Sequence, residues 1–176
     1  PVDLSQFAPS ATRDDYYLVV SRLIPYKRVD IAIEAFNRLR RRLVIIGDGR
    51  DRARLESLAG PTIEFCGRLS DRETRAAMAQ AKAFIFPGLE DFDLTPVEAQ
   101  ARGRPVIAYA AGGALDTVIP GLTGAWFYPQ TADALAHAVE ATNVDALDPA
   151  ACRANAARFD ISVFRQRLAD FINALE

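Results

Sequence analysis

Two glutamates separated by seven residues, Glu90 and Glu98, are the most informative pair of side chains in the sequence. Glu90 lies in a predicted loop and Glu98 in the first turn of the following helix, so the two do not share a helical face. This placement allows them to face one ligand from two sides. A carboxylate accepts hydrogen bonds from two hydroxyls, which suits a sugar or a ribose. The alternative for Glu98 is structural, because 95–98 has capping-box spacing with proline at the first helical position.

Two cations, Arg22 and Lys27, stand between an early apolar run and the first predicted helix. Close to a helix N-terminus, free main-chain N–H groups and the helix dipole add to the charge of such cations. The pair therefore indicates a site for an anion such as phosphate. On local spacing alone, two solvated surface cations are an equal alternative.

Other short motifs carry less information. Gly112-Gly113 allows a close approach of the main chain to a ligand, or simply a tight turn. Asp91-Phe92-Asp93 has an Asp-x-Asp form, but three residues match often by chance, so we expect no metal site. His137, the only histidine, falls within a helical pattern and is expected to be solvated or at the edge of the core. Gly47-x-Gly49 lacks the third glycine of a dinucleotide fingerprint.

The elements that position these loops alternate between short apolar runs and helical patterns. Buried-type strands separated by helices predict an α/β fold, a Rossmann-like parallel sheet of about six strands with helices on both faces. Such sheets bind ligands at the carboxyl ends of their strands. Strands are expected at 16–20, 43–46, 62–65, 83–86, 105–109 and 125–128. Helices are expected near 29–39, 52–58, 71–80, 95–103, 115–118, 132–141, 150–158 and 162–175, with a capping box at 70–73.

Composition narrows the function classes. The 176 residues are 50% hydrophobic with a formal net charge of −2, which argues against a nucleic-acid partner. No apolar run reaches the roughly 20 residues that cross a bilayer, and the start is not a signal peptide. Cys66 and Cys152 have no metal or redox spacing. Because the chain begins without methionine, we expect a piece of a longer protein, with a linker at 1–12 and one domain at 13–176 that includes the C-terminal helices.

Taken in order, these loops resemble the C-terminal domain of the retaining glycosyltransferases of family 4, which have the GT-B fold of two Rossmann-like domains. Glu90-x7-Glu98 is the most specific part of the resemblance, and the run from Asp91 to Gln100 looks most like mannosyltransferases. The remaining matching segments are 2–7, 21–27, 47–49, 65–69, 98–108, 112–113 and 121–124.

The resemblance implies a role for each matching residue. Arg22 and Lys27 hold the donor diphosphate and stabilise the leaving group, and Glu90 lies by the transferred sugar, so these three are the expected catalytic residues. Glu98 accepts from the ribose hydroxyls. The rest of the expected donor-binding set comprises Arg68 and Leu69 beside the base, and Phe92, Asp93, Leu94 and Thr95 beside the sugar. Asp93 stands where the family usually has glycine, and Asp116 where it often has glutamate.

The resemblance also implies partners. The expected donor is GDP-mannose, followed closely by a UDP-hexose, with no cofactor or metal. A glycan or lipid-linked acceptor is held by an N-terminal domain outside this chain, so we expect donor binding without turnover. The full protein is expected in the cytoplasm, with peripheral binding to the inner face of the plasma membrane as a further expectation. The alternatives are a nucleotide-sugar epimerase or phosphorylase of the same architecture, and a non-catalytic nucleotide-binding module.

Overall fold

A computed structural model describes residues 1–7 and 13–175. It contains a six-stranded, wholly parallel sheet, as predicted, and the strand order is β3-β2-β1-β4-β5-β6. The strands are β1 Tyr17–Val20, β2 Leu43–Ile46, β3 Ile63–Gly67, β4 Ala83–Phe86, β5 Val106–Tyr109 and β6 Gly124–Phe127. The helices are α1 Val29–Leu39, α2 Arg52–Leu58, α3 Asp71–Gln80, α4 Leu94–Ala101, α5 Ala114–Thr117, α6 Ala132–Ala141, α7 Pro149–Ala157 and α8 Ile161–Asn173, with short 3-10 turns at Leu4–Gln6, Pro25–Lys27 and Val144–Ala146.

Strand β1 shows why the sheet is covered on both faces. Tyr17 and Val19 point into one apolar cluster, while Leu18 points into a second cluster on the opposite face. Alternate residues of a strand face opposite sides, so a strand that is apolar throughout needs helices on each side.

The strand order reverses between β1 and β4, which lie side by side at the centre of the sheet. At such a reversal the loops leaving the two strands diverge and open a crevice, where ligands of this fold class bind. The loop after β1 carries Arg22 and Lys27, and the loop after β4 carries Glu90 and Asp93. The topology therefore brings together loops that are far apart in the sequence.

The start of α4 corrects one expectation. The predicted capping box with Thr95 as N-cap is wrong: the helix begins at Leu94, and Asp93 is the N-cap. The short Asp93 carboxylate accepts from the Thr95 N–H at 2.9 Å, which satisfies a helical donor one turn earlier than expected. Glu98 is therefore the fifth helical residue and is free of a capping role. The capping box that opens α3 with Ser70 and Glu73 is confirmed.

The two ends of the chain behave differently. Val2 and Phe7 are buried against α4 and α7, and the Val2 N–H donates to the Phe159 carbonyl at 2.9 Å. The predicted linker thus begins with a packed segment, while its residues 8–12 lie outside the described ones and the linker assignment stays a prediction. By contrast, large apolar side chains of α8 are exposed, namely Phe164, Leu168, Phe171 and Ile172, and so is Leu175 beyond its end.

None of the helices that the structure describes is both long and apolar enough to span a membrane.

Candidate functional site

The loop after β1 is held by the Gly-x-Gly turn after β2. The Leu23 N–H donates to the Asp48 carbonyl at 2.9 Å, and Leu23 itself is fully buried. A Cβ at Gly47 would lie 1.8 Å from the Ser21 carbonyl oxygen, and one at Gly49 would lie 2.3 Å from that of Leu23. The two glycines therefore serve the close approach of two main chains, and they fix the loop that carries Arg22 and Lys27.

The loop after β4 is held in the same way by Gly112 and Gly113. The Gly113 N–H donates to the Glu90 carbonyl at 2.8 Å. A Cβ at Gly112 would lie 2.2 Å from the Glu90 carbonyl oxygen, and one at Gly113 would lie 2.5 Å from that of Asp91. This pair makes room for the neighbouring loop, which is the structural reason for two glycines at this place.

Lys27 joins the two loops. Its Nζ lies 2.7 Å from Glu90 Oε1 and 2.8 Å from Asp93 Oδ2, and the three side chains are only 12–19% exposed. Burial of the ammonium lowers the pKa of Lys27, but the hydrogen bonds and charges of Asp93 and Glu90 outweigh burial and raise that pKa overall. The cluster contains one cation and two carboxylates, and it keeps Lys27 charged.

Asp93 has two structural tasks. Its Oδ1 accepts from the Thr95 N–H and, at 2.8 Å, from the Thr95 hydroxyl, while Oδ2 pairs with Lys27. Burial raises the pKa of Asp93, but the bonds from Lys27 and Thr95 dominate and hold that pKa below its ordinary value. The main chain at Asp93 has φ −120° and ψ 136°, an extended conformation that needs no glycine. An aspartate is thus accommodated without strain.

The main chain at the start of α4 offers donors. In the part of the chain that the structure describes, the N–H groups of Phe92, Asp93 and Leu94 donate to no protein acceptor. The first N–H groups of a helix have no partner within the helix, and its dipole adds positive potential there. This edge of the site is therefore suited to an anion or to sugar oxygens.

Glu98 lies one turn further along α4 and is partly buried. Among residues 1–7 and 13–175 it makes no hydrogen bond, so both carboxylate oxygens keep their accepting capacity. Burial raises the pKa of Glu98, Asp93 and Asp71 raise it further, and the charges of Arg75 and Arg102 lower it, with a net upward shift. Both oxygens of the Glu98 carboxylate can therefore accept hydrogen bonds from a ligand.

The other predicted residues are not part of these contacts. Arg22 and Arg68 are exposed at the carboxyl ends of β1 and β3, and the partly buried Leu69 packs against the core. Phe92 is 46% exposed, and its ring centroid lies 5.9 Å from that of Phe159. The structure thus brings Lys27, Glu90, Asp93 and Thr95 into contact, and Arg22, Arg68 and Glu98 take no part in these contacts.

Two arginines whose charges act on Glu98 were missed by sequence reasoning, and so was the aromatic ring that both arginines contact. Arg102 follows Glu98 by four residues, a spacing that places the two side chains on one side of a helix and that signals a pair. Arg75 and Phe7 belong to other segments, and no local pattern points to them.

No group of three or more histidine, cysteine, aspartate or glutamate side chains in the described ranges has a metal-binding arrangement. Within the Asp-x-Asp sequence, Asp93 bonds to Lys27 and Thr95, and Asp91 is exposed.

The sequence matches a family of glycosyltransferases and is similar to two mannosyltransferases. The family model described as "Glycosyl transferases group 1" matches residues 3–159. The GDP-mannose-dependent alpha-mannosyltransferase of Mycolicibacterium smegmatis is 40% identical over 136 residues, which cover 70% of this chain and 36% of that protein. The Mycobacterium tuberculosis protein of the same name is 40% identical over 155 residues, covering 78% of this chain and 41% of that one. The chain therefore spans about two fifths of the length of these relatives.

The structure resembles solved glycosyltransferases of the GT-B fold. Anabaena HepE, solved in complex with UDP, superposes with a TM-score of 0.80 and 25% identity, and the match covers 92% of this chain and 49% of that one. The six-stranded parallel sheet with helices on both faces is thus the Rossmann-like domain of such a fold.

Proposed function

Because the chain belongs to the group 1 glycosyltransferases and has a Rossmann-like domain of the GT-B type, we propose that it is the donor-binding half of a retaining hexosyltransferase. The observation that carries the proposal is the contact of Lys27 with Glu90 and Asp93 where the strand order reverses, beside unpaired N–H groups at the start of α4. A cation, carboxylates and free N–H donors at one crevice suit the diphosphate and the sugar hydroxyls of a nucleotide sugar.

The diphosphate is assigned to Lys27 and Arg22. Without a ligand, Lys27 is paired with two carboxylates, so the cluster has one net negative charge. A diphosphate that binds Lys27 therefore has to replace at least one of these carboxylates as its ion-pair partner. The exposed Arg22 supplies further positive charge. When the bond to the sugar breaks, these fixed cations stabilise the charge that develops on the leaving group.

The sugar and the ribose are assigned to the two glutamates. Once Lys27 forms an ion pair with the phosphate, the Glu90 carboxylate becomes free to accept hydrogen bonds from the hydroxyls of the transferred hexose. The N–H groups from Phe92 to Leu94 bind the same sugar, and Glu98 accepts from two ribose hydroxyls. Arg68 and Leu69 border the base, because they follow β3 at the same edge of the sheet.

The proposed donor is GDP-mannose, and the transferred sugar is mannose. Two relatives at 40% identity are named GDP-mannose-dependent alpha-mannosyltransferases, which supports this choice. A UDP-hexose is the alternative, since the similar Anabaena structure contains UDP.

The acceptor is proposed to be a glycan or a lipid-linked sugar bound by a second domain. Since this chain matches about two fifths of its relatives, we expect it to bind donor without transferring the sugar. The reaction is proposed to need neither metal nor cofactor, because Arg22 and Lys27 supply the positive charge. A location in the cytoplasm, at the inner face of the plasma membrane for the full protein, stays a prediction.

Calorimetric titration of GDP and UDP into this chain without metal tests the proposal. We expect one of the two to bind, and Glu98→Ala to weaken it by roughly tenfold or more, since a lost hydrogen bond to a charged group costs about 1.5–3 kcal/mol. Glu140→Ala is the matched control, because Glu140 is an exposed glutamate of α6. Equal affinities for wild type and Glu98→Ala, or no binding of either nucleotide, would contradict the proposal.

A further inference from the structure

The ring of Phe7 is enclosed by arginines. The guanidinium carbon of Arg102 lies 4.9 Å from the ring centroid, and that of Arg75 lies 5.6 Å from it. Phe7 is 4% exposed and Arg102 is 7% exposed, whereas Arg75 is partly buried. Arg153 donates to the carbonyls of both Phe7 and Ala101, which attaches the N-terminal segment to the end of α4.

Two guanidiniums so close to one ring repel each other, and the cluster needs negative potential to offset that repulsion. Burial and the charge of Arg75 lower the pKa of Arg102, whereas Glu98 opposes that shift. Within the described residues, the buried Nε of Arg102 has no hydrogen-bond acceptor. The negative face of the Phe7 ring and the Glu98 carboxylate therefore supply the compensation.

Glu98 needs these cations in turn. Its carboxylate is partly buried, and Asp93 from the N-cap and Asp71 from α3 both disfavour its ionisation. Arg75 from α3 and Arg102 from the end of α4 are the cations that favour the charged form. Only the ionised carboxylate accepts from two hydroxyls with both oxygens, since a protonated one becomes a donor.

We propose that Arg75 and Arg102 are positioning residues that hold Glu98 as an ionised acceptor, and that Phe7 holds the two guanidiniums in place, so that the N-terminal segment forms part of the donor site. The proposal deepens the assigned function and rests on it for the role of Glu98. A segment that sequence reasoning treats as a linker thereby gains a direct influence on the binding of the nucleotide.

The first measurement follows the Glu98 carboxyl carbon by NMR during a pH titration, without any ligand. Arg102→Gln and Phe7→Leu are expected to raise the pKa of Glu98, while Arg102→Lys and Phe7→Tyr restore it because they keep the charge and the ring. Arg72→Gln is the matched control, since Arg72 is exposed on α3. Thermal unfolding of each variant verifies that it is folded. An unchanged Glu98 titration in folded Arg102→Gln would overturn the proposal.

The second measurement titrates GDP and UDP between pH 5 and pH 8. For Arg102→Gln and Phe7→Leu, the loss of nucleotide affinity on acidification should occur at a pH higher by roughly half a unit to one unit. In a Glu98→Gln background, neither substitution should change the affinity further. Equal losses with and without Glu98 would show a direct or purely structural role and overturn the proposal.

The two measurements separate two failures. If the NMR titration shifts as expected while neither nucleotide binds to wild type, the charge cluster stands and the donor-site function fails. If a nucleotide binds through Glu98 while Arg102→Gln and Phe7→Leu leave the titration of Glu98 unchanged, the function stands and the positioning role fails.

Discussion

Asp93 and Glu98 lie about one turn apart at the start of α4, and their surroundings are opposite. Both carboxylate oxygens of Asp93 accept hydrogen bonds within the protein, from Lys27 and Thr95, and the pKa of Asp93 is lowered. Glu98 makes no hydrogen bond to the described residues, and burial raises its pKa. The first carboxylate stabilises the ligand-free structure. The second keeps its accepting capacity for a ligand, at some expense to stability.

The largest effect on the free energy of unfolding is expected where the ion-paired cluster of Lys27, Glu90 and Asp93 is broken. Lys27→Met leaves Glu90 and Asp93 facing each other without a cation, and it should lower the free energy of unfolding by about 2–3 kcal/mol. Lys82→Met is the control, because Lys82 also pairs with two carboxylates, but these, Asp15 and Asp145, are 88% and 62% exposed. Its loss should stay below about 1 kcal/mol. Denaturant unfolding measures both values. Equal losses would mean that the Lys27 cluster contributes no more than a surface pair.

A smaller effect separates the charge of Asp93 from its capping role. Asp93→Asn keeps an N-cap oxygen but loses the ion pair with Lys27, so it should cost about 1 kcal/mol at pH 7. Asp148→Asn, the same change at the exposed N-cap of α7, should cost almost nothing.

The pH dependence of that cost has a defined sign. Because the folded-state pKa of Asp93 is lowered, its stabilisation is present above the ordinary aspartate pKa of about 4 and is lost as the pH falls through the lowered value. Unfolding at pH 7 and at pH 3 measures this. If Asp93→Asn lowers the free energy of unfolding equally at pH 7 and at pH 3, the ion pair with Lys27 does not contribute to stability.

The smallest effect on stability is expected at Glu98, where the substitution should stabilise the fold at pH 7. Because the folded-state pKa of Glu98 is raised, its protonated form stabilises the fold below the ordinary glutamate pKa of about 4.3, and that stability is lost as the pH rises through the folded value. Glu98→Gln should therefore be more stable than wild type at pH 7, by less than about 1 kcal/mol. The same variant should bind nucleotide less tightly. A loss of stability at pH 7 would instead show that Glu98 is a structural residue.

The sequence predicts the sheet well and the contacts of the site less well. Strands β2 and β4 have the predicted bounds because their apolar runs end at glycine or proline. The start of α4 differs because Thr95-Pro96 is a strong local signal, yet the carboxylate of Asp93 reaches the helical donor first.

Lys27, Glu90 and Asp93 were each predicted as site residues, but not their mutual contact, since that depends on which strands become neighbours. Phe7 and Arg75 were missed for the same reason. Their side chains meet only after the N-terminal segment packs against α4 and α3.

The glycine contacts have a consequence for directed evolution. The main chains of the two loops are fixed by Gly47, Gly49, Gly112 and Gly113, where any larger side chain meets a carbonyl oxygen. A library that seeks a new donor should keep these four positions constant and diversify the exposed side chains of Arg68 and Phe92. New specificities are then reached by exchanging side chains on a rigid frame, so the evolvable part of this domain is its surface chemistry and not its loop geometry.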